Sequence, residues 1–107
     1  MVDEIVARLP IHNHGGELLE VILETYGEDY HLRPGESLVI HTAGVPGRES
    51  TWPGTTRGDE PFDINCYPGS IQVYFNGIRG WVTDLDGTDL DCGHQRPEPR
   101  PGGDRPS

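Results

Sequence analysis

Residues 62–82, FDINCYPGSIQVYFNGIRGWV, constrain the fold more than any other stretch. Phe62, Ile64 and Cys66 alternate with Asp63, Asn65 and Tyr67, and Ile71, Val73 and Phe75 alternate with Ser70, Gln72 and Tyr74. Successive side chains on a strand point to opposite faces, so each apolar set lines one face. Pro68-Gly69 suits the two central positions of a type II turn. Asn76-Gly77 is a strong two-residue hairpin signal, because a type I′ turn needs positive φ at both positions. Tight loops at these two places put Cys66 opposite Ile71, Ile64 opposite Val73 and Phe62 opposite Phe75. They also put Phe75 opposite Ile78, Val73 opposite Gly80 and Ile71 opposite Val82. Every apolar residue then falls on one side, and a slip of one residue in either hairpin would split the set. The stretch predicts a three-stranded antiparallel meander with one buried face, Cys66 included as a small buried hydrophobe.

Around it the chain reads as strands and turns. Val2 to Ile11 carries Pro10, which excludes a central strand and leaves an edge strand or entry segment. Leu18 to Glu24 predicts a strand with Leu19, Val21 and Leu23 on one face. Tyr26 to Tyr30 reads as a turn bearing acids, and Glu36 to Thr42 as a strand with Leu38 and Ile40 together. Fifteen Gly and ten Pro fit many short strands joined by tight turns. The expectation is an all-β domain over residues 1–93: a small antiparallel β-sandwich or partial barrel of six to eight short strands. Residues 94–107, with Pro at every second position from 97 to 101, read as a flexible Pro/Arg-rich tail.

Of 107 residues, eighteen are Asp or Glu and eight are Arg, with no Lys, for a formal charge of −10. That field argues against nucleic acid and anionic membranes, and permits a basic protein partner or a cation. No apolar run is long enough to span a bilayer and no basic apolar leader precedes Asp3, so the expected address is cytoplasmic.

Four groups of residues are candidates for function. Gly44 to Pro61 shows no strand pattern, and loops of that length are often functional. Trp52 in it is either a docking residue or a lid folded onto the core. Out-facing Tyr74 beside Arg79, and Gln72 beside Trp81, would form a polar-aromatic face of the kind that anchors interfaces. His12 and His14 with Glu17 or Glu20 resemble the His-x-His metal motif of cupins, with Leu32-Arg33-Pro34-Gly35-Glu36 adding to the likeness; two imidazoles and a carboxylate can hold a transition metal. The carboxylate spacing departs from the cupin pattern and no His falls near Gly47, so a polar turn is the stronger reading. Asp84, Asp86 and Asp89, with Asp91, suggest calcium, but the twelve-residue loop pattern is absent and an Asp-Gly turn accounts for them. A hairpin at Asp86-Gly87 would set Asp84 against Asp89 and Val82 against Asp91, which like-charge repulsion disfavours.

Glu24 with Gly27-Glu28-Asp29-Tyr30, then Pro34-Gly35-Glu36 and Cys92-Gly93-His94, resembles a group of small bacterial β-sandwich proteins to which no activity attaches. The resemblance covers residues 18–94 and implies the sandwich alone. No nucleophile elbow, phosphate loop or acid–base pair is legible. The expected role is therefore a non-enzymatic protein-interaction module needing no cofactor. The alternatives are a metal-binding β protein with a divalent ion, or an acidic inhibitor or immunity-type protein.

Overall fold

A computed structural model describes residues 4–46, 51–53 and 60–97. They form seven strands: β1 (Ile5–His12), β2 (Leu19–Glu24), β3 (Glu28–Leu32), β4 (Ser37–Gly44), β5 (Phe62–Tyr67), β6 (Ser70–Phe75) and β7 (Arg79–Thr83). The fold is all-β, with a three-stranded sheet in the order β1-β4-β7 and a four-stranded sheet in the order β3-β2-β6-β5, both open. No helix among the described residues is long and apolar enough to cross a membrane.

The core lies between the sheets. Val21, Leu23, Tyr30, Leu32 and Val73 from the larger sheet meet Leu38, Ile40 and Val82 from the smaller, with Phe62, Ile71 and Phe75 against them. The period-two faces expected for β2 and β4 are the faces that are buried. Pro10 sits on β1, an edge strand, where its missing N–H costs no ladder bond.

The β5–β6 hairpin has the expected register, with Cys66 opposite Ile71, Ile64 opposite Val73 and Phe62 opposite Phe75. Gly69 has φ of 73°, as the second central residue of a type II turn requires. The second hairpin of the expected meander does not form. β7 pairs with β4, with Val82 opposite Ile40 and Trp81 opposite His41. Neither Asn76 nor Gly77 takes positive φ, so the pair cannot make a type I′ turn. Asn76 is buried instead. Its backbone N–H donates to Pro61 O at 2.9 Å, and its amide donates to Glu60 O at 2.9 Å and Asp63 Oδ2 at 2.8 Å. Gly77 then presses against β4, where a Cβ would come within 2.1 Å of Ala43 O. The Asn-Gly pair is the corner at which the chain changes sheets. Gly80 leaves room for the Phe75 ring, which a Cβ there would meet at 2.6 Å.

The same change of sheets corrects the expected buried face. A three-stranded sheet does not cover four strands, and β5 overhangs. Ile64, Cys66 and Ile78 are exposed, while Val73 and Val82 are buried. Cys66 and Cys92 are both free.

The like-charge clash expected after β7 is relieved by a register one residue different. Thr83 bridges Asp89, and the Leu90 N–H donates to Val82 O, so Val82 meets an apolar residue rather than Asp91.

Candidate functional site

The described residues bring together a set of groups that the sequence reading kept apart. In the hairpin of β2 and β3, Glu20 pairs with His31 and Ile22 with Asp29. Val21, Leu23, Tyr30 and Leu32 fill the core, so Glu20, Asp29 and His31 share the opposite, outer face. His31 Nε2 is 3.7 Å from Glu20 Oε2, and His31 Nδ1 is 3.7 Å from Asp29 Oδ2. One ligand atom from each of the three residues lies within 4.8 Å of the other two.

The edge of β3 is closed by residues 93–96, most of them assigned from sequence to the tail. Tyr30 and His94 form a parallel bridge; the His31 N–H donates to His94 O at 2.8 Å and the Gly93 N–H to Asp29 O at 2.6 Å. Gln95 Nε2 donates to His31 O at 3.0 Å and to Glu36 Oε1 at 2.6 Å. Arg96 donates from Nε to Asp29 Oδ2 at 2.8 Å and from Nη2 to Oδ1. Gln95 takes φ of 55°, the left-handed region, as the chain turns around this edge.

Electrostatics follow from these contacts. The hydrogen bonds and charge of Arg96 lower the Asp29 pKa to about 2, so Asp29 is a carboxylate at any physiological pH. The Gln95 amide and the Arg33 N–H hold Glu36 below its usual range. Burial, reinforced by a hydrogen bond to Glu28, raises the Tyr30 phenol. His31 is only 6 % exposed, and its Nδ1 is buried without a hydrogen-bond partner.

The residues singled out from sequence are dispersed. Trp52 is buried, at 8 % exposure, against Gly44 of β4. The loop positions 47–50 and 54–59 lie outside the described residues, as do 98–107 of the expected tail. Tyr74 is on β6, in register with Asp63 and Glu24, whereas Arg79 and Trp81 are on β7 of the other sheet. The Arg79 guanidinium lies 4.9 Å over the Trp81 ring, which stacks on His41 at 5.1 Å and 4°, and Glu4 holds Arg79. Arg79 and Trp81 thus join a cross-strand stack with His41, without Tyr74. The His12 and His14 rings are 4.2 Å apart on the surface. Between them the buried Asn13 organises the turn, donating to Glu17 O and Leu32 O and accepting from the Gly15 N–H. Glu17 is exposed and offers the turn its backbone oxygen. Asp84 Oδ1 accepts from the N–H groups of Asp86 and Thr88, which makes it a turn cap. Asp86 and Asp89 are exposed.

A sequence signal for Glu20, Asp29 and His31 existed. A loop of four residues, Glu24 to Gly27, between the paired Leu23 and Glu28 puts Glu20 opposite His31, and Gly27 takes a positive φ (71°) that glycine adopts freely. Reading Glu28 and Asp29 as a turn tip hid this, because acids are rare in strands. Comparison with protein-family models, curated proteins and solved structures gives no match to this chain.

Proposed function

We propose that this protein is a non-enzymatic interaction module that takes up an extended, basic segment of a protein partner along β5. The observation that carries the reading is the state of that edge. Among the described residues β5 pairs with β6 alone, has no Pro, Lys or Arg, and exposes Ile64, Asn65, Cys66 and Tyr67. Free edges normally carry such guards. β1 has Arg8 and Pro10, and β3 is closed by residues 93–96. The two-residue loop makes Tyr67–Ser70 a hydrogen-bonded pair, so Asn65–Gln72 and Asp63–Tyr74 are also hydrogen-bonded. The N–H and C=O groups of Phe62, Ile64 and Cys66 therefore point away from β6, as strand addition requires.

The chemistry of the segment follows from charge. Asp63 on β5 and Glu24, two strands in on β2, flank Tyr74 on the outer face, and the chain carries −10 overall. Complementarity favours Lys and Arg alternating with apolar residues. An acidic inhibitor of a basic enzyme would be one case of this mode. The Arg79–Trp81–His41 stack serves the smaller sheet as cross-strand packing.

The test is titration with ten-residue extended peptides in which Lys or Arg alternates with Val, against the same peptides with Glu. The expected result is binding of the basic series, weakened by salt, with amide shifts confined to residues 62–67. Ile64→Pro removes one outward N–H, spares the β6 ladder and should abolish binding. Equal binding by the Ile64→Pro protein, shifts mapping elsewhere, or no binding of the basic series would overturn the reading.

A further inference from the structure

We propose that Glu20, Asp29 and His31 form a binding site for a divalent transition-metal ion of the zinc class. The site lies at the opposite edge of the sheet from β5 and is independent of the docking reading.

Two observations point to a cation. The first is the donor set: two carboxylates and an imidazole, from paired positions on two adjacent strands, with ligand atoms within 4.8 Å of one another. The second is His31 itself. Its backbone is satisfied, since its N–H donates to His94 and its carbonyl accepts from Gln95. Its side chain is not, because Nδ1 is buried with no partner while the residue is 6 % exposed. A buried ring nitrogen left unmade is costly, and proteins rarely leave one without a use.

The distances separate a metal from a hydrogen bond. The two His31–carboxylate separations of 3.7 Å are too long for hydrogen bonds. They run from different ring nitrogens, so a single ion uses one of them; that one is close to the separation of two ligand atoms each about 2.1 Å from a shared ion, and the other carboxylate lies within 4.8 Å. Imidazole with carboxylate suits Zn2+ and its neighbours, whereas all-oxygen sets suit Ca2+ and Mg2+. One ring nitrogen of His31 would bind, with the unpartnered Nδ1 already facing Asp29.

Arg96 has the part of a supporting residue. Its two hydrogen bonds fix the Asp29 carboxylate, and each carboxylate oxygen keeps a further lone pair for an ion. Ser70 Oγ donates to Glu20 Oε1 at 3.2 Å and supports the other carboxylate. The guanidinium also brings a positive charge near the ion. Two carboxylates set against one guanidinium leave a formal charge of −1 at the cluster before metal enters.

The experiment uses the whole chain, stripped with chelator and titrated calorimetrically with Zn2+, with Co2+ as a visible-absorption probe and Mg2+ as the oxygen-seeking control. The expected result is one Zn2+ per chain, d–d bands with Co2+ and no Mg2+ uptake. Glu20→Gln and His31→Gln should each weaken Zn2+ binding at least about tenfold. Glu20 is half-buried on the outer face, so Glu20→Gln should fold with an unchanged far-UV spectrum and keeps the test valid if His31→Gln does not fold. The double variant His12→Gln/His14→Gln removes the exposed histidine pair and should bind Zn2+ as the parent does. Absence of uptake, parent-like affinity in the folded Glu20→Gln protein, or loss of binding with His12 and His14 would each overturn the assignment.

Discussion

The two edges of the four-stranded sheet have opposite fates. At β3 a parallel bridge to His94, two bonds from Gln95 and the Arg96–Asp29 pair cover the edge, and Tyr30 and Leu32 are buried. At β5 the inward-register positions Ile64 and Cys66 are exposed and the outer backbone groups have no strand beside them among the described residues. The strands are similar in length, five residues against six. What separates them is the neighbouring chain: β3 faces the smaller sheet and is flanked by residues 93–96, whereas β5 overhangs. An edge strand is thus closed or left available by elements distant in sequence, and availability is what makes an edge usable for binding.

The sharpest test of this contrast is a pair of truncations at positions with the same inward parity. Leu32→Ala on β3, where the side chain is 1 % exposed, should destabilise the protein by about 2–5 kcal/mol in urea unfolding. Ile64→Ala on β5, 46 % exposed, should cost under about 1 kcal/mol. Comparable losses would mean that β5 is packed as β3 is. A smaller effect is expected from opening the sealed edge. Gln95→Ala removes the donor to both His31 O and Glu36 Oε1 and should cost about 1–2 kcal/mol. In hydrogen exchange it should speed the His31 amide, which is bonded to His94 O, and leave the outward Ile64 amide at its already fast rate.

The smallest effect is a pH dependence confined to the β3 edge. The Asp29 pKa falls from 3.8 to about 2 on folding, so Asp29 favours the folded state above pH 4. That contribution is lost as pH falls from about 4 towards 2. It is screened, because Arg96 is more than half exposed. Arg96→Gln should flatten stability against pH in this window and leave β5 exchange rates unchanged. An unchanged slope would show that Arg96 does not set the ionisation of Asp29.

Much of the fold was legible locally. The β5–β6 register followed from two alternating runs and Pro68-Gly69, because period and turn geometry are short-range properties. The inward faces of β2 and β4 were legible for the same reason. Asn76-Gly77 misled because the pair serves more than one purpose. A buried side chain that hydrogen-bonds Glu60 and Asp63, and a glycine that admits β4, need the same two residues as a type I′ turn. The site was half legible: a four-residue loop over 24–27 aligns Glu20 with His31, but nothing in the sequence tells that Arg96 returns to Asp29.

By itself the sequence determined most of the strands, the inward faces of β2 and β4 and the β5–β6 hairpin, since these depend on side-chain alternation and on backbone angles within a few positions. The tertiary structure alone decided which sheet β7 joins, which edge residues 93–96 cover and which inward positions stay wet. Those outcomes depend on contacts between residues tens of positions apart, and no local pattern encodes the number of strands that will lie opposite.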